Sequence, residues 1–158
     1  MSDKTYIDPA KEAEVERQRL EAENERKQLE DEFKEYKAIM PTFCKVAYAF
    51  MKRAKWNYKD FEDITGIDHS YFYAIKNEVL EYIEFETVLK ICIGLELKAD
   101  ERNELLRLSG HLYVVSQRNY ICLKILEKKP ITSTSDFNDE YLRLYPDADP
   151  LLTNDGKR

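Results

Sequence analysis

The sequence predicts an all-α protein, and three observations carry the prediction. The 158 residues include only 4 Gly and 5 Pro, too few for the many turns of a β fold. From Ala10 to Ala38 the chain is a run of helix formers with neither Gly nor Pro. Beyond Pro41 the apolar residues recur three and four apart, the period of a buried helix face. No apolar run approaches the ~18 residues of a membrane span. No apolar segment follows a basic one at the start, so no secretory signal is expected. Cys44, Cys92 and Cys122 are odd in number and far apart, in apolar helical settings. They read as reduced core residues of a cytoplasmic protein, not as a disulfide frame or a metal site.

The elements follow in order. Residues 1–9 are expected to fray, with Pro9 opening a long charged helix. Along that helix Val15, Ala22, Leu29 and Tyr36 repeat every seven residues, and Phe33 and Met40 add part of a second row. Arg19 and Arg26 interrupt that second row, so a solvated single helix and a short dimeric coiled coil both stay open. Pro41 marks a boundary, and residues 41–113 read as a globular domain. Phe43, Val46, Ala47, Phe50 and Met51 give its first helix, from about Thr42 to Ala54, an inward face. Residues 114–152 read as a helical extension: a helix capped by Ser116 and ended by Pro130, then a short one from about Asp136 to Leu144. Leu151 and Leu152 are expected to dock, and 153–158 to be a loose tail.

Between these lies WNYKDFEDITGIDHSYFYAIKN, Trp56 to Asn77. Asn57 is a good N-cap. Phe61 and Ile64 are expected to share one face, and Thr65-Gly66 stops the helix, Gly66 being free to take a positive φ. Ile67 plugs the turn. Asp68 or Ser70 can cap the next helix, which turns Phe72 and Ile75 inward and is expected to show His69, Ser70, Tyr71, Tyr73, Ala74 and Lys76 outward. A packed back, a polar-aromatic front and a supporting helix joined by a Gly turn make a helix-turn-helix.

This stretch resembles the helix-turn-helix of the phage repressor/Cro family. The capping pair is Asn57-Tyr58, the inner apolar residue Phe61, the turn Thr65-Gly66-Ile67, and the buried pair of the reading helix Phe72 and Ile75. FETVLKICIGLEL (Phe85 to Leu97) is similar to the family's fourth helix, and ADERNELLRLSGHLY (Ala99 to Tyr113) to its fifth. The stretch from Gln117 to Leu152 resembles an extension of some bacterial members. The resemblance implies a five-helix repressor-like domain, flanked by the long N-terminal helix and one or two extra C-terminal helices. It also implies a DNA-binding transcriptional regulator acting as a homodimer on double-stranded DNA. His69, Ser70, Tyr71 and Ala74 would then face base edges, with Tyr73, Lys76 and Asn77 on the same helix. Lys52, Arg53, Lys55, Asn57, Tyr58 and Lys59 would hold phosphates. The sequence departs from the family pattern at Tyr58, where Gln is common, and at Glu62, where a small residue is usual; no Arg stands on the outward face.

Charge leaves a second reading open. The net charge is −6, divided as −4 over residues 1–40, +1 over 41–129 and −3 over 130–158. The middle is therefore near neutral, whereas DNA affinity draws largely on neutralised phosphates. Glu78, Glu81, Glu84 and Glu86 follow the reading helix and would repel a backbone. Lys52-Arg53-Ala54-Lys55 serves a phosphate or merely complements a helix dipole. Tyr71 and Tyr73 suit DNA or a protein partner. A protein-interaction adaptor that kept the scaffold and docks through those tyrosines or the acidic N-terminal helix is thus the alternative. An enzyme is not expected: the two histidines lie in different segments, no Gly-rich phosphate loop exists, and no Cys/His spacing suits zinc. No cofactor is expected.

Overall fold

The computed structural model describes residues 6–112 and 115–153. The expected fraying of the first five residues and the loose end beyond Thr153 lie outside the described residues. Among those described, eight α-helices and no strand are found: α1 Pro9–Ile39, α2 Phe43–Arg53, α3 Tyr58–Thr65, α4 His69–Lys76, α5 Phe85–Gly94, α6 Ala99–Leu108, α7 Gln117–Lys128 and α8 Thr134–Leu144. No helix among them is long and apolar enough to cross a membrane. The chain divides into two compact units at Met40 and Pro41.

The first unit is α1. The Asp8 side chain accepts from the Ala10 amide at 3.0 Å, and Pro9 takes the first position, where its missing N–H costs nothing. No residue of α1 is buried. Ion pairs along its surface support it, among them Arg17 with Glu21 at 2.7 Å and Arg26 with Glu30 at 3.8 Å.

The second unit has one continuous core. Helix α2 packs on α4 and α6, α3 on α4 and α5, and α8 on α5 and α7. Helix α5 is the central strut, with Phe85, Val88, Leu89, Ile91 and Cys92 all buried. The extension joins this core through Cys122, Ile125, Phe137 and Leu152. All three cysteines are free and buried. Burial pushes the thiols of Cys92 and Cys122 up to about 12, so both stay protonated.

Packing corrects the expectations at Ile64 and Thr153 and settles the place of other residues. Ile64 is 47% exposed, and Thr65 holds the inward position beside Phe61 instead. The Thr65 hydroxyl donates to the Phe61 carbonyl at 2.5 Å and accepts from the Ile67 amide at 3.1 Å, so its burial leaves nothing unpaired. Gly94, the last residue of α5, lies where Trp56 and α3 come close. A Cβ there would lie 3.1 Å from both the Ile64 Cγ2 and the Trp56 ring, so these neighbours would have to give way by a few tenths of an ångström. Val79 is exposed, leaving Leu80 and Ile83 to tether the loop after α4. Tyr120 is exposed because Asn119 and Cys122 take the inward face of α7. Thr153, the last described residue, is held rather than loose: Asn138 brackets the Leu152 backbone at 2.9 and 2.6 Å, and the buried Lys90 ammonium donates to the Thr153 carbonyl.

Candidate nucleic-acid interface

Short-range chemistry sets the angle between α3 and α4. The Asn57 side chain accepts from the Asp60 amide at 2.9 Å, and Asp60 accepts from the Asn57 amide at 3.0 Å, a complete capping box. Gly66 ends α3 with φ 72°, the left-handed conformation its missing Cβ permits. Ile67 fills the turn and is buried. Asp68, not Ser70, caps α4 by accepting from the Ser70 amide at 3.0 Å. The back of α4 is then locked by rings: Phe72 lies 6.0 Å from Phe61 and 6.2 Å from Tyr48 between centroids.

The front of α4 differs from the expected one. Ala74 is only 4% exposed and faces inward. Tyr71 is partly buried and packs against the core. The reason is that α4 rests on two helices, α2 and α3, so its buried arc is wider than the stripe needed for a single neighbour. Ser70 is half buried, and its hydroxyl oxygen has no solvent contact and no hydrogen-bond partner. What remains outward is His69, Tyr73, Lys76 and Asn77.

These outward residues join the start of α3. Tyr58 stacks on Tyr73 with centroids 5.8 Å apart and planes at 28°, and meets His69 edge-on at 5.9 Å. The result is a three-ring ledge across both helices. His69 Nδ1 also lies 3.4 Å from Glu62 Oε2 and 3.8 Å from Asp68 Oδ1. Glu62, in place of a small residue, is thus accommodated by turning toward His69. The three ligand atoms lie within 4.8 Å of one another, so this trio is the group of described residues able to hold a divalent cation. As it stands it puts two carboxylates at the tip of α4.

The expected phosphate contacts separate into two sets. Lys55, Lys59 and Tyr58 are exposed around the start of α3, Lys55 in the left-handed region at φ 61°. Asn57 has its side-chain oxygen engaged in the cap. Arg53 is tied elsewhere: it pairs with Glu101 of α6 at 2.6 Å and stacks over the Phe50 ring at 4.8 Å. Lys52 lines a cleft of about 390 Å³ together with Lys76 of α4. That cleft also holds Lys45, which the sequence reading missed, and Glu78. The signal for Lys45 was present: Lys45, Tyr48 and Lys52 stand three and four apart, on one face of α2.

A short helix with a buried back, a partly basic polar-aromatic front and a supporting helix set by a left-handed Gly turn defines a DNA-binding helix-turn-helix domain. Comparison with protein families agrees: residues 49–101 match the model of the Cro/C1-type HTH DNA-binding domain, and this segment is such a domain. The match spans the end of α2, all of α3 to α5 and the start of α6. No curated protein and no solved structure matches the chain.

Proposed function

We propose that the chain is a cytoplasmic, sequence-specific transcriptional regulator that reads the DNA major groove with α4 as a homodimer. The observation that carries this reading is the ledge of Tyr58, His69 and Tyr73, continued by Lys76 and Asn77 on a helix whose back is fixed in the core. His69, Tyr73 and Asn77 offer rings and donors to base edges and methyl groups. Lys55, Lys59 and the Tyr58 hydroxyl flank them for phosphates. Ala74 and Tyr71, both turned inward, lose the base-facing role that the sequence suggested. A dimer doubles the contacts of one short helix, on half-sites roughly 34 Å apart.

The test is a fluorescence-anisotropy titration of the full chain against genomic fragments at two salt concentrations. Affinity should fall steeply with salt, and Lys55→Gln with Lys59→Ala should weaken binding on every sequence, lowering the salt slope by about one per lysine. Tyr73→Ala should instead relax the preference among sequences. Equal affinity for all fragments would sink the sequence-specific claim. A specific observation favours the second reading, a protein adaptor: Glu62 and Asp68 flank His69 at the very tip of α4. No DNA binding even at low salt would decide for it.

A further inference from the structure

Glu62, Asp68 and His69 meet at the turn between α3 and α4, and each offers a ligand atom within 4.8 Å of the other two. Glu62 Oε2 and Asp68 Oδ1 converge on the same nitrogen, His69 Nδ1, at 3.4 and 3.8 Å. A single ring N–H serves one acceptor well, and both distances exceed the ~2.7–3.2 Å of a good hydrogen bond. Atoms that share a cation at about 2.0–2.2 Å stand about 3–3.5 Å from one another, close to the spacing found. Each side chain is held by its own surroundings. His69 meets the Tyr58 ring edge-on at 5.9 Å. Asp68 uses its other oxygen, Oδ2, to accept from the Ser70 amide at 3.0 Å, which holds the carboxylate in place. Glu62 belongs to the last turn of α3. The C-terminal end of α3 favours a cation there and the N-terminal end of α4 opposes one, so the two helix dipoles largely offset each other.

We propose that this trio binds a divalent transition-metal cation of the zinc class, and that its occupancy raises DNA affinity. One imidazole nitrogen with two carboxylates is a donor set for Zn²⁺ and its neighbours, whereas Mg²⁺ and Ca²⁺ favour oxygen alone. The ligands come from both helices of the helix-turn-helix, on either side of Gly66, so a bound cation also ties α3 to α4. Coordination through Nδ1 makes Nε2 the N–H donor of the exposed ring. The two positive charges of the cation cancel those of the two carboxylates at the tip of α4, which otherwise repel a polyanion. The cation site stands on the geometry of the trio; its effect on DNA rests on the function proposed above.

The experiment has two arms on the full chain, stripped of metal with a chelator. In the first, Zn²⁺ is titrated by calorimetry and paramagnetic Co²⁺ by NMR of the backbone amides, with Mg²⁺ as the control. One Zn²⁺ per chain should bind, Co²⁺ should broaden the amides from Glu62 to Ser70 first, and Mg²⁺ should bind far more weakly. Glu62→Gln, His69→Gln and Asp68→Asn should each weaken Zn²⁺ roughly tenfold or more, since even the outer-shell partners of a metal are worth about that much. Asn is as good an N-cap as Asp, so Asp68→Asn removes the charge and keeps the cap. In the second arm, DNA affinity is measured with Zn²⁺ or with Mg²⁺ at equal ionic strength. Zn²⁺ should tighten wild-type binding several-fold more than Mg²⁺ does. Glu62→Gln should not respond, and without metal it should bind DNA more tightly than the metal-free wild type. No saturable Zn²⁺ binding, or equal binding by Glu62→Gln and His69→Gln, overturns the site. Zn²⁺ bound through the trio with DNA affinity unmoved overturns the coupling. If the wild type binds no DNA in any condition, the regulator reading fails, and the first arm alone decides the cation site.

Discussion

Helix α1 is rich in charge and helix α4 in aromatic rings, and the two exist for different reasons. Helix α1 has 31 residues and buries none; α4 has 8 and buries three, Phe72, Ala74 and Ile75. A helix of eight residues does not persist alone in water, because its nucleation cost exceeds what so few hydrogen bonds return. Helix α4 is therefore held mainly by the core behind it, with Asp68 as its cap. Helix α1 is held by propensity, its Asp8 cap and ion pairs three and four apart, each contributing a few tenths of a kcal/mol. The lesson concerns function. The side chains on α4 inherit a fixed geometry from Phe61, Phe72 and Tyr48, which is what a surface that recognises base edges requires.

The largest expected effect tests that contrast. Phe72→Ala removes a ring packed against three others, those of Tyr48, Phe61 and Tyr73, and should cost ~3–5 kcal/mol, read from urea unfolding of the near-UV signal. Leu29→Ala, on the solvent-exposed stripe of α1, should change stability by less than ~0.5 kcal/mol. A larger, concentration-dependent loss at Leu29 would show that the stripe is covered in solution and would break the comparison.

A middle-sized effect sharpens it. Glycine to alanine inside an exposed helix ordinarily stabilises by ~0.5–1 kcal/mol. At Gly94 the added methyl meets Ile64 and Trp56 at 3.1 Å and Thr65 at 3.3 Å. Gly94→Ala should therefore destabilise by ~1–3 kcal/mol through overpacking, measured as a lowered Tm. A neutral result would mean that α3 slides on α5, and then α4 is less rigidly seated than its burial implies.

How much was legible in the sequence follows the range of the interactions. Caps at Asn57 and Ser116, the left-handed Gly66 and the stop before Pro130 are decided within four residues, and the structure has them as read. The front of α4 was misjudged at Ala74 and Tyr71 because periodicity around Phe72 and Ile75 assumes a single packing neighbour. Only the fold reveals that α2 and α3 both lie against α4. The lysine cleft needs Lys45 and Lys76, 31 residues apart, to meet across two helices. Arg53 reads as a free cation until Glu101, 48 residues on, is placed beside it. The crowding at Gly94 comes from Trp56, Ile64 and Thr65, 29 to 38 residues earlier, and no local pattern shows it.

That Arg53–Glu101 pair supplies the smallest effect. The Arg53 guanidinium, first, and the Lys98 backbone amide, second, hold the Glu101 carboxyl below its ordinary value of 4.5. A carboxyl depressed on folding adds stability above its unfolded value and loses that contribution as pH falls through the folded one. Glu101→Gln should thus be slightly less stable than the wild type at neutral pH, and the gap should close on acidification below the usual glutamate range. Arg53 is more than half exposed, so the gap is small and shrinks further with added salt. Ion pairs on α1, such as Glu16 with Arg19, involve carboxyls depressed in the same way, but they join residues of one helix. The pair on α2 and α6 also withholds Arg53 from the surface near α3. Removing its partner should free a cation beside Lys52 and Lys55, so Glu101→Gln should trade a little stability for tighter, more salt-sensitive DNA binding. If both stability and DNA affinity stay unchanged across pH, the pair is an accident of two long side chains and does not constrain Arg53.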